Sequence, residues 1–271
     1  MAKGPIRFLL SRLLGSSRFK TALWSRWYRY VEKVIDDKPI WFMNYGFMPA
    51  DGLGIKLQPD DEPDRTSIQL YDVVTRAVDL AGCDVLEVSC GRGGGIRFLS
   101  TYRKPRLVAG LDRTERAVAF CGRHHAERGG RFLAGDAMSL PFANRSFDAI
   151  VNVEASHCYP DFARFLSEVR RVLRSGGHLL LADMRKRDAI AAWRGELQQS
   201  EMHASEEEDI TEHVVRALEN SSDRVSALIR ENAPRWARRF MAHFAATKGT
   251  SVYNQLKSGE VRYIRFVLHK P

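Results

Sequence analysis

Asp84-Val85-Leu86-Glu87-Val88 is a short, mostly apolar run of the kind expected for a buried parallel strand, and Ser89-Cys90-Gly91-Arg92-Gly93-Gly94-Gly95 follows it directly. The helix-like Ile96-Arg97-Phe98-Leu99-Ser100 comes next. Strand, glycine-rich turn and helix make the opening of a nucleotide-binding βαβ unit. Glycines are needed there because the backbone turns sharply and lets a ligand lie against it. Two common fingerprints are absent. A dinucleotide G-x-G-x-x-G starting at Gly91 and Gly93 needs glycine at 96, which is Ile96, and no Gly-Lys-Ser/Thr ending marks a P-loop. The pattern is E-x-S-x-G-x-G, with Glu87 inside the strand end.

Further strand ends follow in series. Leu107-Val108-Ala109-Gly110-Leu111-Asp112 is a second apolar strand closed by an acid, 25 residues after Glu87. An acid at that point can accept both ribose hydroxyl protons. Phe132-Leu133-Ala134-Gly135-Asp136-Ala137 closes a third strand with a second acid, ahead of Leu140-Pro141-Phe142. Ser146 to Val153 reads as a fourth strand, and Val172 to Leu181 as a helix end, a Gly176-Gly177 turn and a fifth strand.

This series resembles class I S-adenosylmethionine-dependent methyltransferases, whose motif I has the usual form (D/E)-x-G-x-G-x-G; Ser89 stands at its first glycine. The segments Trp41-Phe42-Met43-Asn44-Tyr45, Glu87-Val88-Ser89-Cys90-Gly91, Asn152 to Pro160 and Gly249-Thr250 look like bacterial lipid and polyketide O-methyltransferases. Among these they resemble the mycobacterial phthiotriolone/phenolphthiotriolone dimycocerosate methyltransferases. The resemblance implies an α/β, Rossmann-like doubly wound sheet of about seven strands, the last antiparallel, with an N-terminal helical cap and a helical lid. It implies S-adenosylmethionine as donor, S-adenosylhomocysteine as product, and a hydroxyl of a hydrophobic lipid-like or polyketide small molecule as acceptor. Residues carried over to the donor site are Glu87, Ser89, Cys90, Gly91, Gly93, Asp112, Arg113, Asp136, Ala137, Asn152 and Tyr45. Asp136 is then expected to meet the adenine amino group. Phe42 and Tyr45 either close over the methionine end or pack in the core, and Gln69 and Tyr71 reach the same region.

Methyl transfer from a sulfonium is an in-line displacement, so the protein supplies alignment and, for an alcohol, a base. The carboxyl ends of the strands face the ligand in such sheets, which puts Asn152 to Tyr159 beside the methyl group. His157 is the natural base, with an unperturbed pKa of ~6.5. A histidine in the corresponding position is the proposed base in the small-molecule O-methyltransferases that this segment resembles. The alternative is a wall histidine that only hydrogen-bonds Glu154 or backbone. Glu154 is expected to orient His157 or to bind substrate. His124 and His125, on the helix after Asp112, read as a solvated face. No metal-ligand spacing appears, which disfavours a catechol-type magnesium site.

The rest of the chain frames this core. Its 271 residues, 44% hydrophobic and 28% charged, exclude a disordered or collagen-like protein. We divide it into an arm and cap at 1–60, a donor-binding core at 61–183, a helical lid at 184–248, and a final helix and strand at 249–271. Four cysteines without a C-x-x-C pair read as reduced cytoplasmic thiols. Residues 1–35 carry +7 of the net charge of +9, with Leu and Trp at helical spacing opposite arginines. Three readings of that arm stay open: a helix packed on its own domain or on a second subunit of a homodimer, a peripheral membrane anchor, and a cleaved targeting peptide. Nucleic acid is disfavoured, because the basicity belongs to one arm and no basic cleft signature exists.

Within the lid, Asp188 to Gln199, Ile210 to Glu219 and Val225 to Arg230 look helical, and Ser205-Glu206-Glu207-Glu208 resembles a capped helix start. Trp193, Trp236, Phe240 and Phe244 supply aromatic surface for a pocket or for lid packing. Tyr263 to Leu268 alternates as an antiparallel strand. Rival functions are N- or C-methylation of a small metabolite, RNA methylation, and polyketide binding without methyl transfer.

Overall fold

A computed structural model describes residues 40–271 except 53, 126 and 128. The basic arm at 1–35 lies outside the described residues. In chain order the first half holds α1 (Arg65–Thr75), β1 (Asp84–Val88), α2 (Gly94–Phe98), β2 (Leu107–Asp112), α3 (Glu115–His125), β3 (Gly130–Ala134) and β4 (Phe147–Val153). The second half holds α4 (Phe162–Val172), β5 (Leu173–Lys186), α5 (Ile190–Gln199), β6 (His203–Asp209), α6 (Thr211–Asn232), α7 (Arg235–Phe244), α8 (Ser251–Ser258) and β7 (Val261–His269).

The strands form one sheet in the order β3-β2-β1-β4-β5-β7-β6. Neighbours from β3 to β5 pair in parallel. Strand β7 runs antiparallel between β5 and β6, as expected for the last strand. All five residues of β1 are buried, because helices cover both faces of the sheet. Period-two alternation sends Leu86 and Val88 to the side of α4 and α5, and Val85 to the side of α1 and α6. Glu87 therefore points toward α1. Strand order reverses between β1 and β4, which leaves a crevice at their carboxyl ends.

Two expectations are corrected. Ser205 to Glu208 is not a helix start but part of edge strand β6. Alternation turns Glu206 and Glu208 onto the guanidinium of Arg265, at 2.5 and 3.0 Å, while Glu207 pairs with Arg194 at 2.5 Å. Partners on β7 and α5 thus neutralise the acidic run, and its charges guard an open sheet edge. His125 is not solvated: it is 1% exposed, and its Nε2 lies 2.9 Å from the Arg92 carbonyl oxygen. His124 remains exposed. The two helical stretches after Ile210 are one continuous α6 of 22 residues.

Candidate active site

The glycine turn after β1 is shaped by contacts on both sides. A Cβ on Gly95 would fall 2.2 Å from Glu87 Oε1 and 2.4 Å from the Tyr71 ring. Only glycine lets α2 start this close to the strand. Beneath it, the Tyr71 hydroxyl donates to Glu87 Oε1 at 2.6 Å. Burial pushes the Glu87 carboxyl up to about 8, against the pull of that hydroxyl. Gly93, at φ +78°, packs on His125. Ser89, at the first glycine position, has φ +63°, a left-handed conformation that costs a side-chain-bearing residue roughly 1–2 kcal/mol. Its Oγ lies 2.7 Å from the Tyr159 hydroxyl, which also accepts from Asn152 Nδ2 at 2.9 Å.

Above the turn lies a cavity of about 930 Å³. Ser89, Cys90, Gly91, Asp112, Arg113, Asp136, Ala137, Tyr45, Glu154 and His157 all line it. Glu87, Gly93 and Asn152 do not stand among its lining residues. Glu87 supports the turn from below, and Asn152, fully buried, donates to the Val88 carbonyl at 2.9 Å. Asp112 Oδ2 accepts the Gly91 N–H at 2.9 Å and Oδ1 the Thr114 N–H at 2.9 Å, which fixes the carboxylate at the cavity wall. Asp136 Oδ1 is held likewise by the Met138 N–H at 2.9 Å.

The cap crosses the same opening. Arg92 Nε donates to the Ile40 carbonyl at 2.7 Å, and Trp41 packs against Phe120, His124 and His125. The Tyr45 N–H donates to Glu154 Oε1 at 2.8 Å, and the Tyr263 hydroxyl donates to the same oxygen at 2.9 Å. Burial raises the Glu154 carboxyl to about 7, against those two donors. Gln69 donates to the Phe47 carbonyl at 3.2 Å and so braces the cap from behind.

Asp183 is the residue that sequence reasoning missed. It closes the apolar run Leu179-Leu180-Leu181-Ala182 as Asp112 closes β2, and that recurrence was the available signal. His157 Nδ1 lies 2.7 Å from Asp183 Oδ1, and the His157 N–H donates to Oδ2 at 2.8 Å. The Ser156 hydroxyl donates to Oδ2 at 2.6 Å, and Arg185 stands 3.2 Å away. The carboxylate orienting His157 is thus Asp183 and not Glu154, whose Oε1 is occupied by the cap and Tyr263. Burial works against charge on both groups, yet the pairing wins. Asp183 is held well below the usual carboxylate range by His157 and Arg185, and His157 well above 6.5 by Asp183. The imidazole keeps 28% of its side-chain surface accessible at the cavity wall. A carboxylate only accepts, so Nδ1 carries the hydrogen, and Nε2 is the ring nitrogen that Asp183 does not engage. The lining of the same cavity includes the apolar Val153, Met184, Phe244 and Val252.

A family model described as a methyltransferase domain matches residues 86–181. The phthiotriol/phenolphthiotriol dimycocerosates methyltransferase of Mycobacterium tuberculosis is 36% identical over 270 residues, covering 100% of both chains. The chain belongs to that family of S-adenosylmethionine-dependent methyltransferases. Also similar to this methyltransferase is the fatty-acid O-methyltransferase of Mycolicibacterium smegmatis, 36% identical over 244 residues, covering 90% of this chain and 88% of that one. Among solved structures, geranyl diphosphate C-methyltransferase from Streptomyces coelicolor, in complex with S-adenosyl-L-homocysteine, aligns with a TM-score of 0.64. It is 15% identical, over 93% of this chain and 98% of that one, which shows the shared fold. S-adenosylmethionine is the cofactor, and the acids at two adjacent strand ends beside a glycine turn suit its ribose and adenine. Among the described residues no cluster of three or more His, Cys, Asp or Glu could hold a metal ion, and no helix is long and apolar enough to cross a membrane.

Proposed function

We propose that this methyltransferase methylates a hydroxyl on a hydrophobic, lipid-like or polyketide small molecule, with His157 as general base. The observation that carries the reading is the 2.7 Å bond from His157 Nδ1 to buried Asp183, in a cavity whose lining includes Val153, Met184, Phe244 and Val252. S-adenosylmethionine supplies a methyl group already activated on a sulfonium. Asp112 and Asp136 hold its ribose and adenine, and the cap residue Tyr45 closes the wall beside Glu154. His157 Nε2 takes the hydroxyl proton, and Asp183 balances the charge that appears on the imidazole. Arg185 and the Ser156 hydroxyl keep Asp183 ionised throughout. The lipids in the names of two relatives support a hydrophobic acceptor. Incubating the protein with labelled donor and a lipid extract, with mass spectrometry of the products, tests the acceptor class. Label appearing only in nitrogen- or carbon-methylated products overturns it.

A carboxyl acceptor is the second reading, favoured by one observation: Asp183 holds His157 toward its protonated form. An imidazolium binds a carboxylate and removes no proton from it. The rate then falls as His157 deprotonates, whereas with a hydroxyl acceptor it rises. The slope of the pH profile separates the two.

A further inference from the structure

Glu154 is the first residue after β4 and takes φ +51°, a left-handed backbone that glycine enters without strain and a glutamate does not. Its N–H is fixed there by the Ala182 carbonyl at 2.9 Å. Strain of this kind persists where a side chain has a task. The Tyr45 N–H and the Tyr263 hydroxyl both end on Oε1, so a proton on this carboxyl sits on Oε2. Among the described residues nothing hydrogen-bonds Oε2, and it is not sealed from solvent as Oε2 of Glu87 is. Glu154 lines the cavity, so Oε2 is the oxygen it offers a ligand. The titratable groups around it are Tyr45 on the cap, Tyr71 on α1, Tyr263 on β7, Asp183 on β5 and His157 on its own turn. Burial keeps the three phenols neutral. No lysine or arginine lines the cavity from the cap, from β4 or from any later described element. The protein thus gives a Glu154 carboxylate no cation but His157, which Asp183 already holds.

We propose that Glu154 is the counter-charge to the donor's sulfonium and makes the site prefer the charged donor to its neutral product. Asp136 follows β3, Asp112 ends β2 and Glu154 follows β4, with the glycine turn of β1 between the last two. A donor with its adenine at Asp136 and its ribose at Asp112 runs on along the same strand ends, so its sulfonium comes next, toward β1 and β4. The assignment rests on that proposed placement of the donor and not on the nature of the acceptor. In the empty cavity burial keeps Glu154 protonated in mild acid. With a cation beside it, Glu154 gives the Oε2 proton to solvent and faces the cation as a carboxylate. After methyl transfer the sulfur is an uncharged thioether. Glu154 then faces no cation and takes a proton back, and its attraction for the spent donor is gone. The donor's α-ammonium is a second cation, but the product keeps it, so it gives no such preference.

The test is isothermal calorimetry of S-adenosylmethionine and S-adenosylhomocysteine with the full-length wild type and Glu154→Gln, in two buffers of different ionisation enthalpy. Glutamine keeps an oxygen for the Tyr45 N–H and the Tyr263 hydroxyl, so the cap stays fastened, and it does not ionise. At about pH 7.5 the variant should bind S-adenosylmethionine about ten- to hundredfold more weakly and S-adenosylhomocysteine less than about threefold more weakly. At about pH 6 wild type should release about one proton more than the variant on binding S-adenosylmethionine, with no such excess for S-adenosylhomocysteine. Equal weakening of both ligands overturns the proposal, because the acid then meets a part that both share, such as the ammonium. Unchanged affinity for both, or equal proton release, overturns it as well. One half of the test needs no variant: wild type releasing no more protons with S-adenosylmethionine than with S-adenosylhomocysteine is enough to reject it. Asp112→Ala checks the donor's placement separately, since it should weaken both ligands alike. If it weakens neither, that placement falls and the sulfonium assignment with it, whatever Glu154→Gln does.

Discussion

Asp183 grips His157 twice, through the ring at Nδ1 and through the backbone N–H, at 2.7 and 2.8 Å. The ring is therefore fixed in direction and tautomer by a residue with no exposure of its own. Both carboxylate oxygens are engaged, so rotation of Asp183 breaks more than one bond. This arrangement sets the first two predictions.

His157→Ala should retain fold and donor affinity while losing about 10²–10⁴ in rate, the usual contribution of a positioned base. His157→Gln keeps hydrogen bonding without basicity. Turnover by Gln equal to wild type from pH 6 to 9 would remove His157 from proton transfer and leave it a wall residue.

Asp183→Asn should displace the ionisation seen in kcat/KM downward, because the carboxylate that raises the imidazole is gone. With a hydroxyl acceptor, wild-type activity climbs with pH through a midpoint above 6.5, and the variant climbs earlier to a lower plateau. A merely structural role for Asp183 lowers activity without moving that midpoint.

Asp112→Ala should weaken donor binding by about 1.5–3 kcal/mol, one to two decades, through loss of charge-assisted hydrogen bonds. Isothermal calorimetry measures it directly, and unchanged affinity takes Asp112 out of the donor site.

Much of this core is legible from residues alone. Parallel strands covered on both faces read as apolar runs, and the turn after β1 needs glycine where Glu87 and Tyr71 press from below. Other parts depend on distant partners. The acidic run in β6 has its cations on β7 and α5, and Arg265 lies 57 and 59 residues away from its two carboxylates. Local spacing favours a helix start there, and only the sheet reveals the alternation. His125 is misread for the same reason: its partner, the Arg92 carbonyl, belongs to the glycine turn rather than to its own helix. Asp183 carries a local signal, an acid closing an apolar run, but its pairing with His157 spans 26 residues and follows from β4 and β5 lying side by side.

Ser89 offers a stability test. Ser89→Ala keeps the left-handed backbone and loses the hydroxyl contact to Tyr159, at about 1 kcal/mol. Ser89→Gly loses the same contact but relieves the backbone, so it should melt close to wild type. Differential scanning calorimetry should place Ala a few degrees below Gly; the reverse order contradicts the strain at this position.

Stability should also depend on pH in a particular direction. Folding raises the Glu87 carboxyl to about 8, the Glu154 carboxyl to about 7, and His157 above its ordinary value. The folded chain thus binds more protons than the unfolded chain above pH 4.5, and stability falls as pH rises through these values. Asp183 acts oppositely, and its contribution is lost only in strong acid. Melting temperature should be higher at pH 5.5 than at pH 8.5, by roughly 3 °C or more. Glu87→Gln should flatten that dependence.

The strip from Ile40 to Tyr45 is fastened at both ends, by Arg92 to the glycine turn and by Glu154 to the end of β4. A strip fastened twice cannot swing on a single hinge. If spent donor leaves past this strip, its release is expected to need one fastening to let go, a local opening of a few residues rather than a movement of whole domains. Hydrogen exchange at the Tyr45 amide, which is bonded to Glu154, measures that opening, and an exchange rate slower than turnover rules the route out.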